Sequence, residues 1–329
     1  MDSNKVNVVG WYNKKNVGDE SYKLSFKNIF PNYDFTFSEN PIKGHSAYIL
    51  GGGDIVTEQN LKKFINIQEP KHIMSVTISS NIEPNLLKPF RNIIVRDNKS
   101  QEKLKNIGFD SFLFPDFGFC LSGDESAGNE IIKKQFENSS SDLYAKKIAI
   151  VVNSHILPTY TCESHIKSRF DKFCYDLAIT IDQTPASFVF VPFGTKMPWD
   201  DRITNAAVHS KCKYWKKNSV FFEELSFQSI LDIFSACDAI VSTRLHSSIF
   251  SISCEKPFLD ITHSHKNSQL LETLSLKELS INYNEYSTEK GSLFIKHLLN
   301  NNEVKNKVSS INSMNLYALS NLKSKIIIN

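Results

Sequence analysis

The sequence predicts an α/β chain of two Rossmann-like, doubly wound domains facing a cleft, and three observations predict it. Short apolar runs of strand length alternate with helix-length segments along most of the 329 residues, the pattern of a parallel sheet covered on both faces. The alternation breaks once, in a polar, small-residue stretch between about residues 121 and 146, and then restarts. Finally, charged residues recur just after the apolar runs, on strand-to-helix turns, where sheets of this kind bind their ligands.

Composition narrows the function. With 41% hydrophobic and 22% charged residues the chain is an ordinary globular one, long enough for two cores. A formal charge of +3 with no basic run interleaved with aromatics argues against a nucleic-acid partner. The six cysteines, Cys120, Cys162, Cys174, Cys212, Cys237 and Cys254, show no CxxC pair and no metal-ligand spacing, so neither a metal nor a disulfide framework is expected. No signal-type start and no run near 20 apolar residues occurs. The expected compartment is the reducing cytoplasm.

The first domain is read over residues 1–125. Val6–Gly10 is a strand, and a helix follows from Glu20 to about Phe30 with Asp19 as its cap. The turn Asn16-Val17-Gly18-Asp19-Glu20 puts acidic residues at a helix N-terminus. Ala47–Leu50 runs into Gly51-Gly52-Gly53-Asp54, where missing Cβ atoms let a backbone or ligand come close. The spacing fits neither a P-loop nor the dinucleotide fingerprint, so no nucleotide cofactor is indicated. Strands over 73–78 and 93–95 lead to Arg96-Asp97 and a helix over 99–107 closed by Gly108. Phe112–Phe114 precedes Pro115-Asp116.

Residues 126–146 are assigned to a linker region, a mixed helix between polar, small-residue stretches, and 147–300 to the second domain. Strands are expected over 148–152 and 188–191, with a helix from Glu163 to about Asp182 between them. A loop over 192–202 carries Asp200 and Asp201. Phe227, Ile230, Leu231 and Phe234 fall at i, i+3, i+4 and i+7 behind Ser226, a capped packing helix. Ala239–Ser242 is then a buried strand, and Ser247 and Ser248 are expected to cap the helix that follows it. Arg244 and His246 therefore stand on the turn between, a fixed cation and a neutral-range titrating group beside a helix N-terminus suited to anions. After the strand Phe258–Ile261, Lys266 adds a third cationic group. Beyond it the chain is helical with a polar break near Asn282–Asn284, and a helix over 301–329 is expected to brace the first domain.

Trp11 with Asn16–Glu20, Leu50–Gly53, Val95-Arg96-Asp97 with Ser100, Pro115-Asp116, and above all Thr243-Arg244-Leu245-His246 followed by Lys266 resemble the polysaccharide pyruvyl transferase family, from about residue 6 to 275. The chain departs from the common pattern in Trp11, where Tyr is frequent, and in the His-rich run Thr262-His263-Ser264-His265. The resemblance implies a glycosyltransferase B-like architecture and an enzyme that moves pyruvate from phosphoenolpyruvate onto two hydroxyls of a sugar as a ketal. It implies a phosphoenolpyruvate site at Arg96, Arg244, Leu245, His246 and Lys266, with phosphoenolpyruvate a co-substrate and no separate cofactor.

The residues suit that substrate. A carboxylate and a phosphate call for cations in fixed geometry, and Arg pairs bidentately where Lys acts as a point charge. His246 is the expected proton donor, to the methylene carbon or to the departing phosphate. The acceptor sugar, of galactose or mannose type and free or lipid-linked, is assigned to Asn16, Asp19, Glu20, Gly52, Gly53, Asp54, Asp116 and Asp201. Asp19 and Asp201 rank first as bases. A lipid-linked acceptor would place the enzyme at the inner membrane face. Two rival readings are a nucleotide-sugar transferase of the same architecture and a carbohydrate-binding protein without catalysis.

Overall fold

A computed structural model describes residues 4–157 and 164–328. The chain divides into two compact units, Met1–Cys120 with Ser313–Asn329, and Leu121–Asn312.

The first unit contains β1 (Lys5–Val9), α1 (Val17–Ile29), β2 (Asp34–Ser38), β3 (Ala47–Gly53), α2 (Glu58–Lys62), β4 (Lys71–Val76), β5 (Asn92–Val95), α3 (Asn98–Asn106) and β6 (Phe112–Leu113). The strands form one parallel sheet in the order β2-β1-β3-β4-β5-β6. Every residue of β3 and β4 is buried, as expected of strands covered on both faces. The order reverses between β1 and β3, so the crevice for a ligand lies beyond their carboxyl ends.

The second unit contains α4 (Glu125–Asn138), β7 (Lys147–Val151), α5 (Ser164–Gln183), β8 (Ser187–Phe190), α6 (Asp201–His209), β9 (Asn218–Val220), α7 (Phe227–Ala236) and β10 (Ala239–Ser242). It continues with α8 (Leu245–Ser253), β11 (Phe258–Thr262), α9 (His265–Thr273), β12 (Ser280–Asn282), α10 (Thr288–Asn300) and the start of α11 (Asn302–Lys325). Its parallel order, β12-β11-β10-β7-β8-β9, is that of the dinucleotide-binding fold, with the switch point between β7 and β10. Arg244 follows β10 directly, so the topology itself puts it at the crevice.

The first unit also holds the end of the chain. His72 Nε2 donates to the Ile328 carbonyl at 2.8 Å, and its Nδ1 accepts from Asn92 Nδ2 at 2.9 Å. Burial pushes His72 down to about 4, so the neutral ring holds both bonds at neutral pH.

Several elements differ from the sequence reading. Helix α1 starts at Val17, not Glu20, because Asn16 rather than Asp19 is its cap and accepts from the Gly18 amide. The linker assigned to 126–146 contains α4, whose Ile132 and Phe136 are buried within the second unit. Strands β2, β9 and β12 were not expected; β12 occupies the polar break, since a three-residue edge strand carries too little apolar pattern to register. Glu163, the expected first residue of α5, and Cys162 lie outside the described residues.

Gly128 shows why α4 belongs to the second unit. A Cβ built there would lie 1.9 Å from the Asp232 carbonyl oxygen on α7, so only glycine permits this approach. Gly128→Ala is expected to destabilise the second unit by about 1–3 kcal/mol through overpacking. Urea unfolding followed by circular dichroism checks this, and an unchanged midpoint would contradict the contact.

Candidate active site

At the switch point of the second sheet, Arg244 is the N-cap of α8, with extended backbone and no side-chain cap bond. Ser247 and Ser248, expected as caps, are instead inside the helix. Ser248 Oγ donates to Asp260 at 2.7 Å, and Ser242 Oγ takes the Arg244 amide at 2.9 Å. Helix α8 thus begins on a cation. The first turn of α9 carries another, the exposed Lys266. Cations at helix N-termini oppose the macrodipole, a local conflict that an anionic group nearby offsets.

The guanidinium of Arg244 is aimed by Asp201. Nη2 donates to Oδ1 at 2.6 Å, and Nε lies 2.6 Å from Oδ2 as an ion-pair contact without hydrogen-bond geometry. The fully buried Asp201 carboxylate also accepts from the amides of Ser154, Phe193 and Gly194 at 2.8, 3.1 and 3.0 Å. With Arg244 Nη2 these make four donors, two on each oxygen, which use up its lone pairs. Asp201 is therefore a positioning residue for Arg244 and not the sugar-facing base expected from the sequence. Its neighbour Asp200 caps α6 and pairs with Arg202.

His155 and His263 complete this end of the sheet. The exposed His155 ring stacks on Trp199 with centroids 4.3 Å apart and a 30° tilt. Burial lowers its pKa, Arg244 and Lys266 add to the effect, and Asp201 partly opposes them. His155 thus registers the fields of Arg244 and Lys266 together. His263 is driven lower, to about 4, by burial, His155 and Arg244. His246 sits on the first turn of α8, half-buried, its ring centroid 6.1 Å from that of Phe250. Leu245 begins the same turn.

Beneath them, buried Asp260 ties three elements together by accepting from Ser248, Thr262 and Asn267 at 2.7, 2.8 and 2.7 Å. Burial raises its pKa, and these bonds hold back the rise. The network fixes the starts of α8 and α9 to β11, and with them Arg244 and Lys266.

In the first unit Arg96 is fixed in the same manner. Its Nη1 donates to Asp116 Oδ2 at 2.5 Å and to the Tyr22 hydroxyl at 2.8 Å, and Nε donates to Thr77 Oγ1 at 2.9 Å. Burial alone would lower the Arg96 pKa, but Tyr22 and Asp116 outweigh it and hold the guanidinium charged. Asp116 also takes the Tyr22 hydroxyl and the Gly118 amide and is only 2% exposed. It positions Arg96, and the sugar-facing role expected of it does not fit its burial.

The remaining acceptor candidates surround the β1/β3 switch point. Asn16 caps α1 and donates to Asp19 Oδ2 at 2.6 Å. Glu20 pairs with Lys23, and Asp54 accepts from Ser79 at 2.7 Å. Gly52, at φ +84°, leaves room for the protein's own Tyr22 ring, which a Cβ would meet at 2.6 Å, not for a ligand as the sequence suggested. Gly53 lies beside Asp19, whose Oδ1 would be 3.3 Å from a Cβ there.

Sequence reasoning passed over Tyr22, Asn153, His155 and Asp260. Asn153 and His155 directly follow an apolar strand, the same signal that singled out Arg96 and Arg244. Tyr22 and Asp260 carry no such signal, since one lies inside a helix and the other inside a strand.

Solved structures share this fold at low identity. A Staphylococcus aureus protein, MnaA, with UDP gives a TM-score of 0.63 at 9% identity, over 98% of this chain and 94% of that one. A UDP-N-acetylglucosamine 2-epimerase from Neisseria meningitidis, bound to UDP-GlcNAc, gives 0.59 at 12% identity over 98% of both chains. A putative enzyme of the same name from Listeria monocytogenes gives 0.56 at 10% identity, over 99% and 98%. These likenesses show a glycosyltransferase B-like two-domain fold. Residues 3–265 match the polysaccharide pyruvyl transferase family, a span that takes in Arg96, Asp116, Asp201, Arg244 and His246 and stops one residue before Lys266. The chain belongs to the polysaccharide pyruvyl transferase family.

Proposed function

We propose that this pyruvyltransferase takes pyruvate from phosphoenolpyruvate and places it as a ketal on two hydroxyls of a galactose- or mannose-type sugar in a polysaccharide or its lipid-linked precursor. The observation that carries the reading is the pair of helices that begin on cations, Arg244 at α8 and Lys266 at α9. A small dianion suits that charge better than a neutral sugar would.

In the reaction, C3 of phosphoenolpyruvate gains a proton and one sugar hydroxyl oxygen bonds to C2. The C2–O bond to phosphate then breaks, and the second hydroxyl closes the ketal. Of the two hydroxyl protons, one is accounted for at C3 and the other leaves with phosphate. His246, one turn into α8, is the donor. Arg244 and Leu245 hold the anion through guanidinium and backbone amide, and Lys266 acts as a point charge; Arg96, in the first unit, is a cation suited to an anionic group. With Asp116 and Asp201 engaged by arginines, Asp19 and Asp54, supported by Asn16, Glu20 and Gly53, are the acceptor-side groups. No metal is required. No helix among the described residues is long and apolar enough to cross a membrane, and a lipid-linked acceptor would be met at the inner membrane face.

The test is phosphate release from phosphoenolpyruvate by purified protein with a panel of β-galactosides and mannosides, repeated with a chelator. Release that depends on one acceptor class and survives chelation is expected. Protection against thermal unfolding by a nucleoside diphosphate but not by phosphoenolpyruvate would overturn the reading in favour of a nucleotide-sugar transferase.

A further inference from the structure

We infer that His263 is a neutral hydrogen-bond donor, through Nδ1, to an anionic oxygen of the ligand held at Arg244. The inference deepens the reading of this end of the sheet as an anion site and rests on it for the ligand, while the tautomer of the ring stands on geometry.

His263 follows β11, and Asn153 follows β7, with β10 between the two strands. The His263 ring reaches across the end of β10, the strand that leads into Arg244, and its Nε2 lies 3.4 Å from Asn153 Nδ2. The orientation of that amide is fixed, because Asn153 Oδ1 already accepts from the His155 backbone amide at 2.9 Å. Nδ2 is therefore the atom facing His263, and Nδ2 only donates. Nε2 must accept, so in the neutral ring the proton is on Nδ1.

An imidazolium would set two donors against each other at Nε2. Burial holds His263 down to about 4, and the nearby charges of His155 and Arg244 add to the effect. Nδ1 is buried and has no hydrogen-bond acceptor among the described residues. A buried N–H without an acceptor is costly, and in native proteins such groups mark functional sites or sites of bound water or ions. Beside Arg244, the acceptor that fits is an oxygen of the bound anion. The ring then adds a directed bond without adding charge, as a neutral catalytic histidine does when neighbouring fields keep it from protonating. This gives a place to the His-rich run before Lys266, which the resemblance to the family left unused.

The experiment is nitrogen-15 NMR of the histidine-labelled full chain, with His263→Gln to assign the resonance. The free protein should show His263 protonated on Nδ1 and neutral down to about pH 5. Saturating phosphoenolpyruvate should move the Nδ1–H resonance, and inorganic phosphate and pyruvate, added separately, identify which end accepts the bond. In kinetics, His263→Ala should raise KM for phosphoenolpyruvate about tenfold, one hydrogen bond to a charged group, with KM for the sugar unchanged, and His263→Gln should recover part of the loss. A proton on Nε2, a titration near 6.5, or an Nδ1 signal that no anion moves would each overturn the inference. If phosphate moves the signal while phosphoenolpyruvate neither moves it nor raises the melting temperature, the donor stands and the assigned substrate falls.

Discussion

His246→Ala is expected to lower turnover by about 10²–10⁴-fold, the contribution of one positioned proton donor, with KM for phosphoenolpyruvate changing far less. The fold should survive. His246 is half-buried on the first turn of α8, whereas the elements that hold this end together bond through Asp260, Asp201 and Asn153. The variant's melting temperature should therefore stay close to that of the parent, and a pre-steady-state measurement of phosphate release separates loss of chemistry from loss of binding. Parental turnover in a folded His246→Ala protein would remove the residue from the mechanism.

Asp201→Ala should act on stability and on binding together. The side chain of Arg244 is 11% exposed and that of Asp201 0%, so removing the carboxylate leaves a buried guanidinium uncompensated, and three backbone amides lose their acceptor. Breaking a buried pair in this way costs about 3–5 kcal/mol, enough to move a denaturation midpoint clearly. The Arg244 guanidinium also loses the partner that aims it, so KM for phosphoenolpyruvate should rise in whatever fraction remains folded. Asp201→Asn tests the two effects apart, since it keeps the volume but puts a donor where only donors face it. A general base, by contrast, would lose turnover on this change and keep its stability.

The architecture was legible because parallel strands covered on both faces are written as short, nearly continuous apolar runs. β1, β3, β7, β8, β10 and β11 all read that way, and the packing helix α7 showed its 3.6-residue period openly. Short edge strands such as β9 and β12 did not, having too few inward positions to outweigh their polar neighbours. The boundary near residue 121 came from composition, but composition also hid that the helix there, α4, packs into the second unit. Its glycine reads as flexibility in the sequence and is in fact the close contact with Asp232.

The candidate site was legible for the same topological reason, since a charged residue just after an apolar run lands at the carboxyl end of a strand. That rule reached Arg96, Arg244, His246 and Lys266. It could not tell a carboxylate that faces a ligand from one that faces an arginine, because Asp116 and Asp201 occupy turns just as Asp19 and Asp54 do. Their partners, Tyr22 and Arg96 for one and Arg244 for the other, come from distant parts of the sequence. Only the fold pairs them. Likewise the proton on His263 depends on which way the Asn153 amide points, which is set by a backbone amide two residues further along the chain.

Formation of a pyruvate ketal on a sugar is measured most directly as the mass of the acceptor after incubation with phosphoenolpyruvate carrying carbon-13 at C2 and C3. The acceptor is expected to gain one labelled pyruvate less one water, in amount equal to the phosphate released, and to gain nothing with His246→Ala. An acceptor of unchanged mass while phosphate is released, or a mass gain without phosphate, would contradict ketal formation.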